Sequence, residues 1–346
     1  MAYGLLVLIG VITLVFFLFQ GFGDPSRIVM GQTGDSKTRI NIQKELYLID
    51  ENEKPIPVIK QFAYYLNDVS PISFHSEKEI QDKKLKGYFF GSETKLAIKV
   101  PYLRKSYQSK RNVGEVLIQA LPGTIILAIT AMFIAILIGI PLGVVSAIKQ
   151  NTWVDAGAVS ASIVGISAPS FFMGIVIVYL FGFVLQNLIG LQVAGNWYSV
   201  DLNGIKHLSL QNLILPAITL GIRPLAIITQ LTRSAMLDVL EQDFIRTAYA
   251  KGISSFRVIV FHALRNALNP VVSAITGWFA ELLAGAFFVE YIFGWQGIGK
   301  VTVNALEKLD YPVVMGSVLL TSLFFILVNI FSDVLYAWID PRVKLN

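Results

Sequence analysis

No cysteine occurs in the 346 residues, which excludes disulfides, thiolate metal sites and cysteine nucleophiles. The three histidines, His75, His207 and His262, stand far apart, so a histidine-based metal cluster is not expected. Charge is scarce too. Asp, Glu, Lys and Arg make up 15% of the chain, against about 25% in soluble domains. With 54% hydrophobic residues and a mean hydropathy of +0.63, this is the composition of a membrane protein with some water-facing mass. The formal charge of +5 does not call for nucleic acid. Its cations are spread over loops without a dense patch, and moderate positive charge suits an anionic cytoplasmic leaflet.

A hydrocarbon core needs about 20 apolar helical residues, and six segments qualify: Tyr3 to Phe19, Val116 to Ile148, Ala156 to Leu185, Leu213 to Leu237, Val271 to Phe293 and Val313 to Trp338. The first lacks a preceding basic residue and a following small-x-small cleavage site, so it reads as a retained span rather than a signal peptide. Pro141, Gly143, Pro169, Pro216 and Pro224 interrupt the spans. Such breaks are tolerated where neighbours re-satisfy the backbone, either as ordinary packing or as kinks around a path. Gly139-x-x-x-Gly143 has the spacing for close helix contact.

The expected fold is therefore an all-α polytopic membrane protein with six transmembrane helices. Residues 1–20 form the first helix, 21–115 a small α+β extracytoplasmic insertion, and 116–346 a five-helix core with a loop at 238–270. Within the insertion, KELYLI and KLAIKV alternate like strands and PVIKQFAYYLND reads as a helix. Orientation follows the basic residues of short loops. With the N-terminus inside, Lys149, Arg233, Arg246, Lys251, Arg257, Arg265, Arg342 and Lys344 lie in the cytoplasm, against Lys206, Lys300 and Lys308 outside. Both termini are then cytoplasmic.

The loop is the unusual part. Asp238, Glu241 and Asp243 precede RTAYAKG, where a helix N-terminus favours negative charge. Lys251 falls near the helix C-terminus, Gly252 supplies the stop, and Ser254 or Ser255 can cap a second helix running to Asn269-Pro270. The residues alone leave two readings open: an interfacial helix lying on lipid headgroups, or a docking element for a soluble partner.

The pattern R-T-A-x-A-K-G (Arg246 to Gly252) followed by R-V-x-x-x-H-A-L-R-N-A-L-x-P (Arg257 to Pro270) resembles the cytoplasmic loop of ABC-importer permeases. It is most similar to the B-type permeases of the dipeptide, oligopeptide and nickel branch. GDPSRIVMG, KPIPVIKQFAYYL, VPYLRKSYQSKRNVGEVLIQALPGT, SAPSFFMGIVIVYLFG, FFVEYIFGWQGIGK, LDYPVVMGSVLL and LVNIFSDVLYAWIDPRVK extend the resemblance over nearly the whole chain. It implies a coupling helix that docks on an ATPase subunit, with Arg246, Thr247 and Ala248 at the "EAA" positions, Gly252 as the motif glycine, and Ala250, Lys251, Arg257 and Arg265 in the same element. Arg stands where the general motif has Glu, and Arg265 where it ends in proline; both departures are usual in this branch. Glu281 departs from an expected small or apolar residue.

The resemblance further implies ATP-driven import by alternating access. The partners would be a second homologous permease, one or two ABC ATPases carrying ATP and Mg, an extracytoplasmic substrate-binding protein and membrane lipid. No cofactor or catalytic site is expected on this chain, and the bacterial inner membrane is its expected location. Peptides are the expected cargo; nickel chelates, glutathione and oligosaccharides are carried by related systems. Pro169, Ser170 and Glu281 are the candidates for the translocation path.

Other motifs are weaker. GWQGIGKV (Gly294 to Val301) spells G-x-x-x-x-G-K, but Val301 holds the Ser/Thr position and no strand precedes it; a re-entrant or gating turn fits better. Glu281, Arg223 and Asp333 lie in or near spans, where ionisable groups are functional hypotheses by default. Glu281 suits a cavity or a structural pairing equally, Asp333 a structural role. No intramembrane carboxylate pair and no zinc motif supports proton coupling or an enzyme. An ion-coupled secondary transporter would leave the basic loop unexplained, and an outside enzyme would have to be built on His75 with Ser73, Ser76 and Glu77.

Overall fold

The computed structural model describes residues 2–21, 40, 43–44, 47–50, 52–196, 198–200 and 206–339. GDPSRIVMG, Arg342 and Lys344 lie outside the described residues, as does the side chain of Asp333. The chain divides into two compact units, residues 1–119 with 304–322, and residues 120–303 with 323–346.

In the first unit, α1 (Ala2–Gln20) carries no charge and α2 (Val58–Val69) is amphipathic. Phe62, Tyr65 and Leu66 of α2 pack with Ile12 and Phe16 of α1 and with Leu319; the Phe16 and Tyr65 rings stack at 5.5 Å. Then come β1 (Ile72–Ser76), α3 (Glu77–Lys83), β2 (Gly87–Phe90) and β3 (Thr94–Lys99). The strands form an antiparallel sheet in the order β1-β3-β2. KLAIKV thus lies along β3, whereas in KELYLI the described residues form a turn, with Ile49 in an isolated bridge to Pro55. Tyr47 there has φ +58°, which breaks an extended run.

The sheet is inverted in character. Its register puts Ile72, Phe74, Tyr88, Phe90, Leu96 and Ile98 on one face, and that face is exposed. Ser73, His75, Ala97 and Lys99 are on the buried face. Ser73 Oγ and both His75 ring nitrogens have no hydrogen-bond partner there; the cations beside them are gathered by Asp68. Its buried carboxylate takes Lys83 Nζ at 2.5 Å and Arg104 Nε at 3.3 Å. Lys99 Nζ donates to the Asp68 and Ser70 carbonyls at 2.5 and 3.1 Å, and burial pushes its pKa down to about 8.

The second unit is helical: most of α4 (Val113–Ile148), α5 (Trp153–Ser167), α6 (Ser170–Tyr179), a short α7 (Gln186–Ile189), the ribbon β4 (Tyr198–Val200) with β5 (Lys206–Leu208), α8 (Gln211–Leu240), α9 (Asp243–Ala250), α10 (Arg265–Gly285), α11 (Phe287–Ile292), α12 (Ile298–Glu307) and the end of α13 (Tyr311–Ile339). Its core joins Leu127 and Ala131 of α4 to Leu215, Leu220 and Ile228 of α8 and to Phe293 and Trp295. The Gly139-x-x-x-Gly143 pair makes the close contact its spacing suggests. A Cβ on Gly143 would lie 2.6 Å from the Thr229 carbonyl of α8, closer than any side chain could sit.

Four helical segments are long and apolar enough to cross a membrane, Val113–Ile148, Gln211–Leu240, Ser255–Leu283 and Tyr311–Ser332, or five if the bent pair Trp153–Ser167 and Ser170–Val184 is one span. That pair is the expected span from Ala156 to Leu185, and the interruption read at Pro169 is a bend of 111°. Pro169 has no N–H to give and disfavours the helical conformation at the residue before it, and Ala168 is extended (φ −79°, ψ 127°). The expected fifth span, Val271 to Phe293, is corrected. The helix begins at Ser255, passes a π-helical stretch at Val258–Leu264, runs through Pro270 and stops at Gly285. One missing hydrogen bond at Pro270 is outweighed by packing, since Ala267 and Val271 on either side are fully buried. Asp238 is not at a helix N-terminus as expected but in the last turn of α8.

His75 sits buried in the sheet with both ring nitrogens lacking a hydrogen bond; Glu79 Oε2 is 3.4 Å from Nδ1. Ser76 instead caps α3 and Glu77 pairs with Lys95, so the residues an outside enzyme would need do not converge. Burial, then the charges of Lys83 and Lys99, hold the His75 pKa below its usual value. The native imidazole therefore binds fewer protons than the unfolded one below about pH 6.5. Stability from this site is complete above that pH and declines as pH falls through it. Amide protection factors across Ile72–Ser76 in the solubilised protein, corrected for the pH dependence of intrinsic exchange, are expected to fall between pH 7 and pH 5, and His75→Leu is expected to flatten that dependence.

Candidate functional site

The loop between α8 and the Ser255 helix is built on two small apolar residues. Ile245 and Ala248, one turn apart on α9, are buried with Ala147, Met236, Val258, Ala263 and Ala267. They fasten α9 across the ends of α4, α8 and the following helix. A helix of eight residues is too short to persist by itself in water, and this packing supplies what it lacks. Gly252 closes the helix at φ +75°. Its N–H donates to the Tyr249 carbonyl at 2.9 Å and the Ile253 N–H to that of Ala248 at 3.3 Å, the pairing of a left-handed C-terminal cap.

The site residues inferred from sequence divide accordingly. Ala248 is an anchor, while Arg246, Thr247, Ala250, Lys251, Gly252, Arg257 and Arg265 are exposed. A Cβ at Gly252 would meet nothing within 4 Å, so its left-handed φ, not crowding within the chain, demands glycine. Phe244, Tyr249 and Phe256 join this surface at 43%, 44% and 71% exposure. Exposed aromatics and arginines are the residues a protein interface favours, and the basic pattern that marks the loop in sequence does not announce the aromatics.

A buried carboxylate ties together the helix ends nearby. Asp155 of α5 receives Arg233 Nε and Nη2 at 2.6 and 2.8 Å, Ser146 Oγ at 2.5 Å and the Asn151 N–H at 3.0 Å. Sequence reading took Arg233 only as a topogenic charge and passed over Asp155. An acid three residues past Thr152, in the first turn of α5, was the available signal.

The other carboxylate missed is Glu290, a lone charge inside the apolar run FFVEYIF. It is fully buried, accepts Thr124 Oγ1 at 2.7 Å and the Lys300 N–H at 3.2 Å, and a Cβ on Gly297 would lie 2.3 Å from its Oε2. Trp295 Nε1 donates to the Gly123 carbonyl at 2.9 Å. The GWQGIGK turn thus wraps a carboxylate of its own chain where a phosphate loop would hold its ligand.

Between α8 and α10, Arg223 Nη1 lies 3.5 Å from Glu281 Oε1, each side chain about half exposed (51% and 52%). The guanidinium also covers the Trp278 ring at 5.2 Å. The two intramembrane charges singled out separately in the sequence therefore meet. Pro169 is exposed and Ser170 half-buried at the α5–α6 break. Among the described residues no group of acids and histidines is placed to hold a metal ion.

Residues 139–345 match the family described as binding-protein-dependent transport system inner membrane component. The dipeptide transport system permease protein DppB of Haemophilus influenzae is 40% identical over 253 residues, covering 69% of this chain and 76% of the relative. A probable D,D-dipeptide transport system permease protein of Escherichia coli is 34% identical over 99% of this chain and 95% of its own. The glutathione transport system permease protein of Salmonella choleraesuis is 33% identical over 99% and 96%. Among solved structures, the inward-facing MetNI methionine ABC transporter has a chain that superposes with a TM-score of 0.51 at 16% identity, over 66% of this chain and 97% of that one. At that identity the likeness speaks for the fold.

Removing Asp155 leaves Arg233, Ser146 and the Asn151 N–H without their shared acceptor. Asp155→Ala is expected to lower the thermal midpoint of the detergent-solubilised protein sharply. Asp155→Leu combined with Arg233→Met should recover most of the loss.

Proposed function

We propose a specific role for this chain within the family to which it belongs, the binding-protein-dependent transport system inner membrane components. It is a multi-pass permease subunit of an ABC importer, and in our reading α9 is its coupling helix. The observation that carries this is the asymmetry of α9: Ile245 and Ala248 bury one side, while Arg246, Thr247, Lys251 and Gly252 face outward beside exposed aromatics. A headgroup-lying helix would place Phe244, Tyr249 and Phe256 toward lipid with the cations flanking them. Interspersed aromatics and cations above an open glycine suit a protein groove better.

The remaining assignments follow from this. Partner ATPases, one or two, carry ATP and Mg and hydrolyse it. A second homologous permease completes the passage, and an extracytoplasmic binding protein delivers substrate. The path crosses the bilayer six times, using α1, α4, the bent α5–α6 pair, α8, the Ser255–Leu283 segment and α13, with both termini cytoplasmic and the insertion, residues 21–115, outside. Closure of the ATPases moves α9, and α9 biases a bundle with two arrangements; the bias can be no larger than the difference in ATPase affinity for the two.

Peptides are the proposed cargo, since the names of three relatives specify dipeptides or glutathione. The Arg223–Glu281 pair supports it. A half-exposed guanidinium and carboxylate 3.5 Å apart offer one partner to each end of a zwitterion. The α5–α6 break at Pro169 and Ser170 adds irregular backbone of the kind membranes tolerate where it lines a cavity.

Co-purification tests the coupling role. The tagged chain, expressed with its ATPases and second permease, is expected to retain vanadate-sensitive ATP hydrolysis. Gly252→Arg should abolish it, while Gly252→Ala, which meets only the left-handed strain of about 1–2 kcal/mol, should keep most of it. ATPase binding indifferent to Gly252→Arg would move α9 to the lipid surface and bring ion-coupled transport forward. For the path, Glu281→Gln is expected to raise the KM for dipeptide uptake about tenfold, the scale of one hydrogen bond to a charged group, with ATPase co-purification intact.

A further inference from the structure

Within the first unit a cleft of about 160 Å³ lies between the loop after α3, the end of β3 and the first turns of α4. Its lining is cationic in part, with Lys83, Lys84, Lys86 and Arg104. Lys83 and Arg104 are held by Asp68 behind it. Lys84 and Lys86 are exposed and form no ion pair among the described residues. The only carboxylate lining the cleft is Glu115, so with Asp68 four positive charges face two negative ones.

Apolar side chains line the same cleft, Val100 directly beside Lys86, whose carbonyl accepts its N–H at 3.1 Å. Ile118 is 63% exposed and belongs to α4, whose 36 residues include the most apolar span of the chain. Val100, 65% exposed, continues the bare face of the sheet, where Phe74, Tyr88 and Phe90 stand open. A cleft at the head of a span opens where the chain passes from water into hydrocarbon, and exposed aromatics are typical of that level. α2 keeps the sheet near it by packing on α1 near its C-terminal end.

Basic and apolar side chains in one cleft and its position at the boundary together match an amphiphile. An acidic protein side chain or a free phosphate would satisfy the lysines but leave Ile118 and Val100 wet. We propose that this cleft binds the phosphate headgroup of an anionic phospholipid of the outer leaflet, with the lipid's glycerol and upper chain against Ile118 and Val100. Lys84 and Lys86 supply the unspent charge, and Arg104, prefixed by Asp68, supplies a directed donor. The inference rests on α4 crossing the bilayer with residue 113 at the outer side. The bound lipid would pin the insertion to the membrane surface, so that its outer parts present a fixed platform.

Native mass spectrometry of the purified transport complex, titrated with phosphatidylglycerol or phosphatidylcholine, tests the site. We expect one tightly retained phosphatidylglycerol. In the Lys84→Gln, Lys86→Gln double variant its retention should weaken about thirtyfold, some fivefold for each cation near an anionic headgroup. Ile118→Gln should weaken it as well, while Lys60→Gln on the exposed side of α2 should not. Ten millimolar inorganic phosphate should fail to displace it. The ATPase activity of the double-variant complex, expected unchanged, separates a lost lipid site from failed assembly. Equal retention by the native and double-variant complexes overturns the proposal. So does displacement by inorganic phosphate, or loss of a protein subunit from the double variant with lipid retention unaltered.

Discussion

A polar group shut away from water must find its partner within the chain, and helix ends and turns leave several such groups to be met. Buried carboxylates do this repeatedly here. Asp155 receives a guanidinium, a hydroxyl and a backbone N–H where α4 turns into α5. Glu290 receives a threonine and the backbone of the turn before α12. In the other unit, Asp310 ahead of α13 accepts Ser106 Oγ at 2.5 Å and the Tyr107 N–H at 2.8 Å, and Asp68 gathers Lys83 and Arg104. Each places a carboxyl group where several donors would otherwise be stranded. Such sites are worth little against an apolar replacement and a great deal against the loss of one partner, so they specify geometry more than they add stability.

This constraint explains why the α9 loop can be both firm and available. α9 is too short to hold itself, and it is held instead by two apolar residues sunk among the ends of three longer helices. Everything else on it is free to face a partner. The Asp155 cluster joins the ends of α4, α5 and α8 in the same unit, so a push on α9 meets helix ends that are already tied together. A loosely attached loop would absorb the displacement of a partner; one set into braced helix ends can pass it on.

The legibility of these features differed with the number of residues that carry them. The helices of 21 to 36 residues and the α9 motif rest on runs of sequence, and a run survives errors in any one position. Pro270 misled because a single proline outweighs helix propensity only where packing is weak, and Ala267 and Val271 make packing strong there. At Pro169 the opposite holds: it follows Ala168 with no comparable core to hold a straight helix, and the chain turns by 111°. Strands β1 and β2 are only five and four residues long, and so short a run does not separate a strand from a loop.

By itself, then, the sequence determined the class: hydropathy, scarcity of charge and the RTAYAKG pattern follow from local composition and order, and local order is all that a run of residues needs. Tertiary structure decided which charges meet. Arg223 and Glu281 lie 58 positions apart, Arg233 and Asp155 78, and Glu290 reaches Thr124 across 166. No spacing rule connects such residues, because their proximity comes from the way helices pack and turn, and packing depends on the whole unit at once.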